Sequence, residues 1–348
     1  MKKKFNLFLN TRHLENREED HQTEFFAALL LTSPLFRKGF EKLVLSHFFK
    51  KQHKQNPKDG WNKAHIVDVE TQSQYDAEHS RPDMILHLSN GKKIVVENKI
   101  SATEVVMEAS DEQAQIKQLE KYLKLPDISG VAYIRANWKA PDASVLKHPK
   151  YIKPLKYEHF LWRDFFPLLR KDKTALGEWI TEAFAHKGYT PPVAQIGDMS
   201  RQFDEECIKN RENYKKFLDE TYRLARELGW KTEASCIEGL WCGNNPKSTC
   251  EQLMFTASQP ERFLVRVTPK DGQYIQVKDK LKATVSLLKD VDVEIHNDAA
   301  NRVQNKKKPV ILLTTTLREI LGKAKGEKAI RSRLSSFYGT ILMALQEE

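Results

Sequence analysis

Cysteine is nearly absent from this chain. The four present, Cys207, Cys236, Cys242 and Cys250, all lie in the second half and form no Cys-x-x-Cys pair. That argues against both a zinc cage and a disulfide framework. Long apolar runs are missing as well: no stretch approaches the roughly 18 apolar residues of a membrane span. The basic start, Met1-Lys-Lys-Lys, is followed by an apolar run too short and broken for a signal peptide. A cytoplasmic protein without a membrane partner is expected. Gly243-Asn-Asn-Pro-Lys-Ser lacks the spacing and the second glycine of a phosphate-binding loop, so ATP use within the chain is not expected. There is no Gly-x-Ser-x-Gly elbow and no His-Glu-x-x-His helix. The histidines, such as His65, His79 and His87, are scattered.

Positive charge is in excess. Lys and Arg number 57 against 47 Asp and Glu, a formal net charge of +10. The excess favours an anionic partner, nucleic acid first, and is equally compatible with a merely solvated basic surface. A chain of 348 residues can bury a sizeable core, and two domains are expected. The division falls near Gly188-Tyr-Thr-Pro-Pro-Val, where two prolines stop a helix, giving units over residues 1–195 and 196–348.

The most informative stretch runs from Arg81 to Lys99. Met-Ile-Leu-His-Leu and Lys-Ile-Val-Val-Glu-Asn-Lys flank Ser89-Asn90-Gly91, the pattern of a β-hairpin. Glu97 and Lys99 are two apart on a strand and share a face. A two-residue loop would put Asp83 opposite Asn98, on the other face. A three-residue loop, with Gly91 left-handed in a bulge, puts Asp83 opposite Glu97. The longer loop is expected, clustering two carboxylates and an ammonium at one end of the hairpin.

Around it, a helix is expected from about His21, with Thr23 as a possible cap and Glu24 in its first turn. A second helix spans about 36–49, and a strand from His65 ends near Glu70. A long polar helix over about 102–125 carries Gln118, Leu119, Tyr122 and Leu123, and a strand at Val131–Ile134 follows. A sheet whose last strand returns parallel through a helical crossover results. Residues 141–156 read as loop, with a short strand before Trp162 and a helix from there to His186. The second half reads as a helix over about 200–228, then strand-like runs at 231–237, 250–256, 262–267, 274–277, 291–295 and 310–313. A final helix over 317–345, breaking near Gly326, completes an α+β domain. Trp241, Phe255, Phe263 and Lys306 to Lys308 are its aromatic and basic surface candidates.

Hydrolysis of a phosphodiester needs a polarised phosphoryl oxygen, an activated water and charge stabilisation. Asp83, Glu97 and the backbone carbonyl of Asn98 are hard oxygen donors suited to Mg2+ or Mn2+. Lys99 can hold or deprotonate the water, helped by a pKa lowered between a metal and apolar walls, and can offset developing charge. Glu70 is a further candidate ligand, or a surface acid at a strand end. Glu24, from its place in the first helical turn, reads rather as an acid favoured by the helix dipole. A surface hairpin with ordinary salt bridges fits the same residues.

Four pieces in order sharpen this: Asn16-Arg-Glu-Glu-Asp-His-Gln-Thr23-Glu24-Phe, Arg81-Pro-Asp83, Glu97-Asn-Lys99-Ile-Ser-Ala and Gln118-Leu119-x-x-Tyr122. Together they resemble the PD-(D/E)XK nuclease superfamily, in a bacterial branch often found in defence settings such as antiviral defence. The resemblance covers roughly residues 15–135. It implies a restriction-endonuclease-like α/β fold, a mixed sheet flanked by helices, followed here by the α+β domain. It also implies Asp83 and Glu97 as metal ligands, Lys99 as the catalytic lysine, Glu24 as the helical acid and Gln118 as a polar residue near the phosphate. The expected function is a nuclease using Mg2+ (or Mn2+) on DNA. The alternative is a non-cleaving module for nucleic acid or a partner protein, with the C-terminal domain as a homodimer or partner surface.

Overall fold

The computed structural model describes residues 18–72, 81–99, 118–136, 141–155, 157–199, 201, 203–235, 239–259, 262–288, 291–298, 302–303, 306–307 and 309–347. The chain divides into two compact units, Met1–Pro191 and Pro192–Glu348, close to the expected boundary.

The first unit is built on a six-stranded mixed sheet. Strands β1 (Ile66–Thr71), β2 (Met84–Leu88) and β3 (Lys93–Lys99) are antiparallel neighbours. Strand β4 (Ile128–Arg135) runs parallel to β3, and the short strands β5 (Tyr151–Ile152) and β6 (Phe160–Leu161) pair in parallel with β4. The near-continuous apolar runs of β2, β3 and β4 follow from their position, because both sheet faces are covered. One face packs Met84, Leu86, Ile94, Val96, Ala132 and Ile134 against helix α1 (Glu18–Thr32) and its neighbours. Phe26, Leu29 and Leu30 of α1 are spaced i, i+3, i+4 and all are buried. The other face packs Ile85, Val95, Val131 and Tyr133 against the helical residues 118–124, through Leu119, Tyr122 and Leu123. The expected helix over 102–125 is described only from Gln118 onward.

Local chemistry sets the joints. The Ser33 hydroxyl accepts from the Phe36 amide at 3.1 Å, and Pro34 occupies the first helical position, so one helix ends and the next begins without a break in packing. The expected helix over 36–49 becomes three pieces, Pro34–Phe40, a π-helical turn Glu41–Leu45, and Ser46–Gln55. The Glu41 carboxylate accepts from the Ile66 amide at 2.7 Å and fixes the start of β1. The expected helix to His186 is two, Trp162–Leu169 and Ala175–His186, and the expected loop over 141–156 holds a short helix, Ala143–Lys147, and β5.

The second unit is a six-stranded antiparallel sheet. In chain order its strands are β7 (Lys231–Ser235), β8 (Gly239–Gly243), β9 (Cys250–Gln259), β10 (Arg262–Pro269), β11 (Glu294–Asp298) and β14 (Val310–Thr315). A separate pair, β12 (Arg302–Val303) and β13 (Lys306–Lys307), forms a small ribbon. The sheet order is β11-β14-β10-β9-β8-β7. Three expectations fail here. Tyr274–Val277 is not a strand but the start of a helix, Tyr274–Leu287. The expected helix over 200–228 is two, Glu205–Lys215 and Asp219–Glu227. Phe255 and Phe263 are not surface residues: both are fully buried against Tyr338 and, for Phe263, Phe337 of the last helix, Glu327–Ala344. Alternation along β9 and β10 turns these rings inward.

The hairpin loop is the three-residue one. Leu88 N–H donates to the Lys92 carbonyl at 2.9 Å, and Met84, Ile85, Leu86 and His87 lie opposite Val96, Val95, Ile94 and Lys93. One further pair puts Asp83 opposite Glu97. Gly91 has φ of 77°, and a Cβ there would meet no atom within 4 Å. Gly91→Ala therefore carries only the backbone cost of a left-handed residue. It is expected to lower stability by about 1 kcal/mol without altering the slope of a urea unfolding curve.

Candidate functional site

Pro82 decides what happens at the end of the hairpin. Asn98 and residue 82 stand opposite each other as a pair whose amides and carbonyls face one another, continuing the alternation fixed by Leu88 and Lys92. Proline has no N–H to give. The Asn98 carbonyl therefore receives no ladder bond from that position. The Asn98 amide is taken by Asp83, whose Oδ2 accepts from it at 2.7 Å. The Asn98 side chain points to the opposite face, where its amide donates to the Thr23 hydroxyl of α1 at 3.1 Å.

On the near face, Asp83, Glu97 and Lys99 meet. Lys99 Nζ lies 2.9 Å from Glu97 Oε1 and 2.8 Å from Glu19 Oε1. Glu97 is 1% exposed. The Asp83 amide and the Lys99 ammonium approach it, but neither Glu97 oxygen receives a well-aligned hydrogen bond. Gln72, just past β1, donates from its side-chain amide to Asp83 Oδ1 at 3.4 Å and to Asp20 Oδ1 at 3.2 Å. Arg135 ends β4 beside Lys99 and is buried, with its guanidinium over the Tyr133 ring at 5.7 Å.

Burial dominates the electrostatics. It pushes the Asp83 carboxyl well above its ordinary range, with Glu97 and Glu19 adding to the effect and Lys99 and the Asn98 amide opposing it. Burial also pushes Glu97 up, against the pull of Lys99. For Lys99, burial alone would lower the pKa. The carboxylates of Glu97, Asp83 and Glu19 outweigh it and push the ammonium above its usual value. The lowering expected of Lys99 applies between a metal and apolar walls; the carboxylates by themselves act in the opposite direction. Burial pushes Tyr122 up as well, and Glu97 adds to it.

The expected residues do not all converge. Glu24 is exposed on α1, and the acid that reaches Lys99 is Glu19. The cause is the start of the helix. Already helical at Glu18, α1 carries Thr23 in its body rather than at a cap. Thr23 faces Asn98, so the residue four earlier shares its side, while the next residue is turned by about 100° toward solvent. Glu70 shares the sheet face, but its carboxylate pairs with His87 Nε2 at 3.1 Å, and the position nearer Asp83 belongs to Gln72. Gln118 reaches the centre through its neighbour, donating to the Tyr122 hydroxyl at 2.7 Å. The sequence reading missed Glu19, Gln72 and Arg135. A strand extended by one period of two beyond Glu70 points to Gln72, and the parallel register with Lys99 points to Arg135.

No family model, curated protein or solved structure matches the chain. The donor set must speak for itself. Among the described residues, no three His, Cys, Asp or Glu side chains form a metal-binding group. What the centre offers is two buried carboxylates, one with unsatisfied oxygens, and a carbonyl outside the ladder. Such a set fits a hard cation that keeps waters in its remaining positions, as Mg2+ does.

Buried carboxylates crowded in this way cost stability, so the isosteric neutral variants are informative. In metal-free buffer, Asp83→Asn and Glu97→Gln are expected to melt at or above the temperature of the unmodified protein. Lys99→Met, which strips an ammonium from the Asp83, Glu97 and Glu19 carboxylates, is expected to lose on the order of 3 kcal/mol. Thermal unfolding followed by circular dichroism checks both signs. A large loss in Asp83→Asn would show that the carboxylates stabilise the fold.

Proposed function

We propose that the first unit is a divalent-metal-dependent nuclease of the PD-(D/E)XK type that hydrolyses phosphodiester bonds of DNA. The observation that carries this reading is the end of the β2–β3 hairpin, where Asp83, Glu97 and Lys99 gather beside the Asn98 carbonyl, which has no ladder donor opposite it at Pro82. The element order supports it: a helix, a strand, a hairpin, a helix and a strand parallel to the hairpin's second strand. The net charge of +10 supports an anionic substrate. No helix among the described residues is long and apolar enough to cross a membrane.

In this reading Asp83, Glu97 and the Asn98 carbonyl hold Mg2+ or Mn2+, which supplies Lewis-acid polarisation of the scissile phosphate. Lys99, held charged by the carboxylates around it, donates to a non-bridging phosphoryl oxygen and offsets the negative charge that grows there. Glu19 fixes the Lys99 ammonium at 2.8 Å and so restricts where that charge sits. Tyr122 and Gln118 close the apolar side of the site and limit water on that wall.

The test is a panel of single- and double-stranded DNA and RNA with Mg2+, Mn2+ or chelator. Metal-dependent cleavage of DNA is expected. Asp83→Ala and Lys99→Ala should each reduce it by on the order of 10^2–10^3-fold. Glu19→Ala should reduce it, and Glu24→Ala should not. Full cleavage by Lys99→Ala would sink the mechanism. Retention of DNA that weakens with salt but yields no product would favour a binding module instead.

A further inference from the structure

Gln72 is one of two non-glycine residues with positive φ among the described residues, at 51°. That conformation is uncommon outside glycine and asparagine, and an outlier of this kind is a pointer to function. Four contacts hold it. Its amide N–H donates to the Asp83 carbonyl at 3.2 Å, and its own carbonyl accepts from Arg81 Nε at 3.0 Å. Its side-chain amide donates in two directions, to Asp83 Oδ1 and to Asp20 Oδ1. With the Asn98 amide on Oδ2, each Asp83 oxygen has a neutral donor and retains lone pairs for a further partner.

We propose that Gln72 is a positioning residue of the metal centre: its side-chain amide fixes the orientation in which the Asp83 carboxylate binds a divalent cation, and ties that carboxylate to Asp20 of α1. The inference rests on the reading of Asp83 as a cation ligand. Outer partners of this kind set ligand orientation, and their loss typically costs 10–100-fold in metal affinity. A left-handed backbone and a double-donor side chain are separable demands. Glycine meets the first and abolishes the second. Asparagine meets the first with an amide one methylene shorter, too short to span both carboxylates.

The experiment measures free Mn2+ by its electron paramagnetic resonance signal during titration of the full chain, beside the melting temperature in chelator. Gln72→Gly and Gln72→Asn are expected to melt no lower than the unmodified protein and to bind Mn2+ about 10–100-fold more weakly. Mn2+ affinity equal to that of the unmodified protein in both variants would overturn the assignment to Gln72 alone. Unfolding of both would do so too, giving Gln72 to the fold rather than to the cation. No saturable Mn2+ binding in the unmodified protein, with no difference in Asp83→Ala, would overturn the metal centre and this inference with it.

Discussion

A proline cannot donate to the ladder it interrupts, and the arrangement at the end of this hairpin follows from that constraint. Were residue 82 able to donate, the Asn98 carbonyl would close the last rung and face no ligand. With Pro82 in place, Asn98 gives its amide to Asp83 and its side chain to α1, while its carbonyl has no ladder donor at residue 82. A single residue, Asn98, thereby connects both faces of the sheet. The Lys99 carbonyl, one position on, faces the other way and accepts from Ala136 at 3.0 Å and from the Trp162 ring at 3.3 Å. The strand end is therefore held on both edges.

Charge is the second constraint. Two carboxylates buried within one strand pair lose hydration, which pushes both pKa values up, and the charge of Glu97 adds to the effect on Asp83. Lys99 compensates only in part, since Glu19 shares the same ammonium. A site of this kind is stable only because the surrounding packing over-determines it. Ile85, Val95, Tyr122 and Tyr133 supply that packing on the near face. The second unit also holds a buried ion pair: Asp219 and Arg331 meet at 3.1 Å, and Arg331 also reaches Glu327 at 2.9 Å.

What was legible in the sequence was whatever depended on period and parity. The turn Ser-Asn-Gly and two apolar runs placed the hairpin and left loops of two and three residues open; the expected three-residue loop is the one present, and it decides which carboxylates share a face. Helix starts were not legible to one turn. Thr23 looked like a cap because it precedes an apolar run, and its role is instead to meet Asn98 from the body of α1. Glu24 was singled out by the family resemblance, and the acid that pairs with Lys99 is Glu19. The strand-like run at 274–277 failed for a related reason: Tyr-Ile-Gln-Val suits a strand by propensity, but Val277 and Leu281 at i, i+4 bury a helical stripe. Phe255 and Phe263 were misjudged because exposure is a property of the sheet face and its covering helix, which local sequence does not specify.

The coupling of α1 to β3 explains why one turn matters so much. Adjacent strand residues project to opposite faces, so Asn98 and Lys99 cannot both meet the same helix face in the same way. Asn98 reaches Thr23 directly across the packed face, whereas Lys99 must extend from the far face around the end of the strand. A helix residue can receive it only if it lies beyond that end, and four residues of helix advance about 6 Å toward the N-terminus. Glu19 stands at that distance from Thr23 and on its side. Glu24 lies one step the other way and on a different side, where it is exposed. The same geometry brings Asp20, beside Glu19, within reach of Gln72 at the end of β1. The first turn of α1 and the ends of β1, β2 and β3 therefore converge on one small region. A slip of the helix by a single residue would withdraw Glu19 and Asp20 from it together.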